Sequence, residues 1–298
     1  MEEAGAWIRA HVEPVGPIEL VHERPWATVL RVPTGQGVVW FKACAPVQAF
    51  EPGLTATLAR RWPDLLPDVL AHHEERGWLL LGDAGVRLGL AAGPEPWLTI
   101  LPPYAELQRG ETAHAAKHLE DGAPDRGLAA FPALYGAMLA RDLPLERSDV
   151  ARLRAFATRF AELCAELAGA GVPETIQHDD LHGMNVFPHD RGWRILDWGD
   201  SCLSHPFLTA FVTFIHIEET KGRPSDDPWV SRLRDAYLEP WGRPVELREA
   251  FELALRLGPF AHVFKELRVL DTIAEEEERR RFVSGLPAVL AFCLAAAG

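Results

Sequence analysis

The sequence predicts an α+β fold, in which a small β-rich lobe of residues 1–82 precedes a larger, mainly helical lobe of residues 83–298. In the first third, short runs of β-branched and aromatic residues alternate with turn residues, which is typical of antiparallel strands. From about residue 97 onward, apolar residues recur every three or four positions, as in amphipathic helices. We expect a ligand to bind in the cleft between the two lobes.

The first lobe opens with a predicted three-stranded antiparallel meander. The runs IELVHE, ATVLRV and VVWFKA favour strands, and the segments RP and PTGQG between them are turn material. Apolar residues at helical spacing follow in PVQAFEPGLTATLARRW, and the runs DVLAHHE and GWLLLGD predict a second hairpin. The lobe is therefore a small antiparallel sheet with one helix.

The second lobe is predicted to be mostly helical. The clearest helix spans residues 148–168, and we expect others at 203–220, 229–239, 246–277 and from about 282. The last of these, FVSGLPAVLAFCLAAA, is the most apolar stretch of the chain. It is short for a membrane span and contains a glycine and a proline, so we interpret it as a buried helix.

Composition narrows the classes of function. The 298 residues include 48% hydrophobic residues, which is enough for a real core. A net charge of −13 argues against a nucleic-acid or an anionic membrane partner. The four cysteines have no CxxC spacing, so neither a disulfide framework nor a thiolate zinc site is indicated. The opening MEEAGAW lacks an apolar signal region, and we expect a cytoplasmic protein.

Polar side chains concentrate in IQHDDLHGMNVF and in the nearby ILDWGD. Between them, residues 190–192 (DRG) are predicted to form a three-residue hairpin loop. That loop would pair Phe187 with Ile195 and would set Asn185 directly opposite Asp197, with Cβ atoms roughly 5 Å apart.

An amide oxygen and a carboxylate at that spacing suit a magnesium ion that holds a phosphate ester. Asp180, in the loop just before the hairpin, could orient a hydroxyl group and accept its proton during phosphoryl transfer. Taken singly, each of these residues would more often be a turn former. Their joint spacing favours a catalytic site.

The pattern H-x-D-L-H-x-x-N, followed by two hydrophobic residues and D-W, resembles the aminoglycoside phosphotransferase and choline kinase-like family. That family has a protein-kinase-like fold, and the order of the two lobes agrees with it, so the resemblance covers most of the chain. The residues that carry the match are His178, Asp180, Leu181, His182, Asn185 and the segment ILDW that ends at Asp197-Trp198.

The resemblance implies a magnesium-dependent kinase that transfers the γ-phosphate of ATP or GTP to a hydroxyl group. It implies that Asp180 is the catalytic aspartate and that Asn185 and Asp197 are the Mg²⁺ ligands. Lys42, at the end of the third strand, would contact the α- and β-phosphates, and Glu51 is the best candidate to pair with it. His178 would brace the catalytic loop, His182 would be structural, and residues 80–84 would present backbone groups to adenine.

Two segments depart from the family pattern. The first turn, HERPWAT, has no GxGxxG over the phosphates. After Asp197-Trp198, Gly199 stands where members often carry a glutamate, and Ser204-His205-Pro206 also differs, while Asp200 could supply part of the acidic character.

The acceptor stays open at this point. The family implies aminoglycosides, other sugars or amino sugars, choline-like amines and amino alcohols. Acidic residues of the helical lobe could bind a cationic acceptor, namely Glu218, Glu219, Asp226, Asp227 and Asp271. Two alternatives also stay open: an inactive kinase-like scaffold that binds nucleotide or a partner, and a zinc hydrolase built on His178, His182 and Asp197.

Overall fold

The computed structural model describes residues 2–221 and 228–298, with no side-chain description for residues 219–221. The chain divides into two compact units. The first comprises Met1–Gly89, Glu120–Ala123 and Gly183–Asp200, and the second comprises Leu90–Leu119, Pro124–His182 and Ser201–Gly298. The predicted α+β class is confirmed, because an antiparallel sheet and a mostly helical part are both present. The assignment of nucleotide binding to residues 1–82 and acceptor binding to 83–298 stays a prediction.

A five-stranded antiparallel sheet forms the body of the first unit. Its spatial order is β1-β2-β3-β5-β4, and the predicted meander and second hairpin are both confirmed. The strands are β1 (Glu19–Arg24), β2 (Ala27–Thr34), β3 (Gly37–Cys44), β4 (Val69–His73) and β5 (Trp78–Gly82). Between β3 and β4 lies the predicted helix, α2, whereas the sequence did not predict the N-terminal helix α1. These two helices are α1 (Glu2–His11) and α2 (Glu51–Arg61).

The core of this sheet explains why α1 belongs to it. Ile8 of α1 is completely buried in one cluster with Leu30, Phe41 and Leu80. Trp7 adds ring contacts to Phe41 at 5.8 Å between centroids. Burying these apolar side chains stabilises a ten-residue helix that is too short to persist alone.

The hairpin predicted around residues 190–192 completes the first unit, and its register differs from the prediction. Strands β7 (Val186–His189) and β8 (Gly192–Ile195) are joined by the two-residue loop 190–191. Gly192, with φ of 128°, already pairs with His189 instead of belonging to the loop. Every predicted pair is therefore shifted by one residue, and the pairing of Phe187 with Ile195 was wrong.

The second unit is built from helices around an aromatic core. The ring of Phe160 lies 4.3–6.2 Å, between centroids, from the rings of Phe131, Tyr135 and Phe260. A two-stranded sheet of β6 (Thr175–Gln177) and β9 (Cys202–Ser204) supports the loop that follows β6. The helices are α3 (Trp97–Glu111), α4 (Ala115–Glu120), α5 (Phe131–Leu139), α6 (Arg147–Ala168), α7 (Ala210–Lys221), α8 (Pro228–Leu238), α9 (Arg248–Leu270) and α10 (Glu276–Ala297).

Two predictions about the C-terminal helices were wrong. The helix expected at 246–277 ends at Leu270, and α10 begins anew at Glu276, where the Glu275 carboxylate accepts hydrogen bonds from two backbone amides. The last helix is not buried all round, since only Leu286, Leu290 and Cys293 are buried. Of the helices in the described part of the chain, α10 alone is long and apolar enough to cross a membrane, judged by length and composition.

Candidate active site

A cavity of about 320 Å³ lies within the first unit, against the sheet and the β7–β8 hairpin. Its wall includes four of the five residues that the sequence analysis singled out: Lys42, Glu51, Asn185 and Asp197. The fifth, Asp180, belongs to the second unit.

Lys42 forms the centre of a charged cluster in the first unit. Strand β3 carries it between β2 and β5, where it pairs with Val29 and Leu79. Its ammonium nitrogen lies 2.7 Å from a carboxylate oxygen of Glu51 and 2.5 Å from Oδ1 of Asp197. The expected partner of Lys42 is thus in contact with it, at the first residue of α2.

Burial and charge act against each other at this lysine. Burial alone would lower the pKa of Lys42, but the Asp197 and Glu51 carboxylates raise it well above its usual value. The Lys42 side chain is 13% exposed and that of Glu51 is 2% exposed. The lysine is therefore a permanent cation that the glutamate holds in place at the cavity wall.

The ligands expected for Mg²⁺ are an amide and a carboxylate on the same cavity. Because of the shifted register, the Asn185 carbonyl accepts a hydrogen bond from the amide of Leu196, and Asn185 does not stand directly opposite Asp197. Asp197 lies beyond β8 with φ of 67°, so the alternation of a strand does not govern its side chain. The side chains of Asn185 and Asp197 nevertheless line the same cavity.

These two residues fit a magnesium ion. The Asp197 side chain is 51% exposed, which leaves a carboxylate accessible beside the cationic Lys42. Within residues 2–221 and 228–298, no group of three or more His, Cys, Asp or Glu side chains could hold a metal. Mg²⁺ is typically held by one or two protein oxygens together with phosphates and waters, so a two-ligand set is adequate.

The rest of the cavity wall suits a nucleoside. Leu81, Asp83 and Ala84, in or directly after β5, line it, as does Trp26 in the two-residue β1–β2 turn. The indole of Trp40 donates to Asp83 at 3.2 Å and fixes that carboxylate. The contact of residues 80–84 with adenine stays a prediction.

Packing explains why glycine follows Asp197-Trp198. A Cβ at Gly199 would lie 2.6 Å from the Gln48 side chain and 2.7 Å from Oε2 of Glu51. Gln48 in turn donates to Asp200 at 2.9 Å. A side chain at position 199, such as the glutamate that the family often carries there, would have to displace the buried side chains of Gln48 and Glu51.

The Asp180 loop follows β6 in the second unit. His178 is completely buried, its backbone amide donates to the Tyr104 hydroxyl at 2.9 Å, and its Nδ1 accepts from the Asp180 amide at 3.3 Å. Asp179 has φ of 61° and makes a buried ion pair with Arg126, at 2.6 Å. These contacts hold the backbone of the loop from His178 to Asp180.

The neighbours of the Asp180 carboxylate include a lysine and a histidine. Lys265 of α9 lies 3.3 Å from Oδ1, and Nε2 of His182 lies 3.3 Å from Oδ2. Burial opposes ionisation, but the Lys265 charge and the His182 hydrogen bond together hold the pKa of the Asp180 carboxyl well below its usual range. Asp180 is therefore a carboxylate, with 24% of its side chain exposed.

The structure bears on the zinc alternative and on the acidic residues considered for a cationic acceptor. The segment between His178 and His182 is not helical, which removes the geometry in which the two histidines could chelate zinc. Of the acidic residues considered for a cationic acceptor, Asp271 is engaged by Arg141 at 2.6 Å. Asp226 and Asp227, and the side chain of Glu219, lie outside the described residues.

Sequence reasoning missed three residues of these clusters: Arg126, Lys265 and Gln48. Lys265 carried a usable signal, because it falls in the run of closely spaced apolar residues that becomes the buried face of α9. A charge in such a position needs a partner. Arg126 comes from an irregular segment and Gln48 from a three-residue 3-10 helix, and neither is long enough for periodicity to indicate the direction of a side chain.

Comparison with known families gives one match. The profile described as the phosphotransferase enzyme family matches residues 70–252, more than half of the chain. No curated protein matches.

Solved structures resemble the whole chain at low sequence identity. A choline kinase from Streptococcus pneumoniae is 14% identical with a TM-score of 0.62, and the match covers 98% of this chain and 99% of that one. An ethanolamine kinase from Plasmodium vivax is 11% identical with a TM-score of 0.62, and the match covers 95% of this chain and 83% of that one. An amicoumacin kinase in complex with AMP-PNP, Ca²⁺ and Ami is 12% identical with a TM-score of 0.60, and the match covers 97% of this chain and 93% of that one. The predicted protein-kinase-like fold is confirmed by these similarities.

Proposed function

The chain belongs to the phosphotransferase enzyme family, and we propose that it is a Mg²⁺-dependent small-molecule kinase that moves the γ-phosphate of ATP or GTP to an acceptor hydroxyl. The observation that carries the proposal is the double ion pair of Lys42 with Glu51 and Asp197, on the cavity that Asn185 also lines. A cation next to accessible oxygen ligands is the arrangement that nucleotide phosphates require.

Each residue of the first unit then has a defined task. Lys42 binds the α- and β-phosphates, and Glu51 keeps its ammonium pointed at the cavity. Asn185 and Asp197 would hold Mg²⁺, which supplies positive charge to the phosphate oxygens. With nucleotide bound, Asp197 would hold the metal in place of its contact with Lys42, and the Lys42 ammonium would contact the phosphates.

Asp180 acts on the acceptor. Its carboxylate accepts a hydrogen bond from the acceptor hydroxyl and so aims the oxygen at the γ-phosphorus. As the new P–O bond forms, the bond from the γ-phosphorus to the β–γ bridging oxygen breaks, and the hydroxyl proton passes to Asp180. ADP or GDP leaves with the electron pair of the broken bond. Because phosphoryl transfer needs positioning more than a strong base, a carboxylate of low pKa is adequate.

A nucleotide-consumption screen tests the proposal. Amino sugars, sugars, antibiotics and amino alcohols are offered with ATP or GTP and Mg²⁺, and Asp180→Ala serves as the blank. Asp190→Ala, in the exposed β7–β8 loop, is a matched control that removes an aspartate outside the cluster. The proposal expects at least one acceptor that Asp190→Ala consumes like the wild type and Asp180→Ala does not.

An inactive scaffold would give a different result. It would bind nucleotide in isothermal titration but consume none with any acceptor. Unchanged turnover in Asp180→Ala would also contradict the proposed role. We place the activity in the cytoplasm. Residues 1–82 would serve the nucleotide together with Asn185 and Asp197, and residues 83–298 would otherwise serve the acceptor. The net charge of −13 supports the absence of a nucleic-acid or anionic membrane partner.

A further inference from the structure

Lys265 is a charged residue at a buried position of α9, which is unusual. It lies on α9 among buried apolar residues and only 4% of its side chain is exposed. A buried ammonium is costly unless carboxylates surround it. Here Asp180 Oδ1 lies 3.3 Å away and Glu266 Oε1 lies 3.4 Å away. The cation is therefore held in the protein interior by two carboxylates, one from its own helix and one from the Asp180 loop.

Building on the proposed kinase function, we infer that Lys265 is a positioning residue that fixes the Asp180 carboxylate in the orientation in which it receives the acceptor hydroxyl. The family match and the sequence motif give no role to this position. Lys265 and His182 occupy different oxygens of Asp180, so together they determine the rotation of the carboxylate plane. The acceptor hydroxyl then meets an oxygen whose direction is set before binding.

The helix makes this arrangement rigid. Lys265 lies in the C-terminal third of the 23-residue helix α9, next to the buried residues Phe264 and Leu267, and its own side chain is only 4% exposed, so close packing restricts its movement. Asp180, in contrast, sits on a loop without regular structure. A contact from a rigid helix can hold a loop carboxylate where a mobile surface lysine could not. A misplacement of about 1 Å in such a group can cost roughly 100-fold in rate.

Other charged and titratable groups share this region and must be considered in any pH experiment. The loop supplies His178 and His182, and Asp179 there is paired with Arg126. Helix α7 supplies His216, whose ring lies 4.7 Å from that of His182. Helix α9 itself supplies His262 and Glu266, at 3.6 Å from each other.

Turnover is the first test. Lys265→Met should lower kcat by about 30-fold or more through loss of positioning, while the nucleotide dissociation constant changes less than about twofold, because Lys265 does not line the nucleotide cavity. Lys265→Arg keeps a cation at the end of a long flexible side chain and should recover part of the loss. Arg256→Met removes a cation from an exposed position of the same helix and should have wild-type turnover.

A double variant separates action through Asp180 from general damage. In an Asp180→Asn background, Lys265→Met should change the residual turnover less than about twofold, because the residue it positions is already gone. A further large loss in that background, or a wild-type kcat in Lys265→Met, would overturn the inference. If Asp180→Asn itself kept full turnover, the proposed function would fall instead.

A second readout does not depend on finding an acceptor. Without Lys265, burial would raise the pKa of the Asp180 carboxyl, and the folded state would take up a proton as the pH falls. The Tm of Lys265→Met should therefore lie below that of the wild type at pH 7.5, and this gap should narrow toward pH 5. Glu266 also loses a neighbour, so the comparison is repeated in Lys265→Met/Asp180→Asn. If the Tm difference from the wild type no longer narrows toward pH 5 in the double variant, the inference is supported. A Tm difference of Lys265→Met that is independent of pH, or one that narrows equally in the double variant, contradicts it.

Discussion

The buried ion pair beside Asp180 gives a prediction whose size follows from the structure. Arg126 and Asp179 lie 2.6 Å apart, and their side chains are 6% and 2% exposed. Arg126→Met removes the guanidinium and leaves the Asp179 carboxylate buried without it. Asp179 also holds a left-handed backbone, at φ of 61°, which costs energy in a residue other than glycine.

The expected loss is large for a single substitution. Removing one partner of a buried pair costs about 3–5 kcal/mol, because the other charge stays desolvated. For a chain of this size, that corresponds to a fall in Tm of roughly 6–20 °C. The exposed pair of Arg152 with Asp149 is a control, since its side chains are 48% and 30% exposed. Arg152→Met should cost less than about 1 kcal/mol.

The assay is urea unfolding followed by circular dichroism for wild type, both single variants and the double variant Arg126→Met/Asp179→Gly. The double variant removes both charges and places glycine where φ is positive, so its free energy of unfolding should return to near the wild-type value. A loss below about 1 kcal/mol for Arg126→Met would refute the claim that this pair is desolvated and holds the loop. A double variant as unstable as the single one would refute the account of its cause.

Three further predictions concern Lys42, Gly199 and Asp180. Lys42→Met removes the charge that we propose binds the phosphates, so it should weaken nucleotide binding and lower turnover by about 100-fold or more. Titration calorimetry measures the affinity and initial rates measure the turnover, and a wild-type affinity for nucleotide would contradict the prediction. Gly199→Ala should lower the free energy of unfolding by about 1–3 kcal/mol, because its Cβ meets Gln48 and Glu51 at 2.6–2.7 Å; urea unfolding measures the change, and Gly136→Ala, with open space around its Cβ, is the control. Since the folded pKa of Asp180 is depressed, its ionised form stabilises the fold above the unfolded pKa of about 4 and this contribution is lost below it. The stability gap between wild type and Asp180→Asn should thus be constant from pH 8 to 5 and close only in stronger acid, and a gap that closes near pH 6 would contradict the depressed pKa.

The features that could be predicted from the sequence are those determined by residues close together in the chain. The meander and the lysine at the end of β3 were predictable, because alternating runs and their turns are local patterns. The hairpin register was missed by one residue, since a DRG segment fits both a two-residue and a three-residue loop and only the fold selects between them. Lys265 lies 85 residues from Asp180 along the chain, and no local pattern joins them.

The central claim is that Asp180 delivers an acceptor hydroxyl to a nucleotide held by Lys42, Asn185 and Asp197. Phosphorus NMR of a complete reaction, with ATP or GTP, Mg²⁺ and an acceptor from the screen, tests it most directly. The account predicts that wild-type protein produces the nucleoside diphosphate and an equal amount of a new phosphate monoester. Asp180→Asn should bind the nucleotide and form neither product, and formation of the monoester by Asp180→Asn at the wild-type rate would contradict the account.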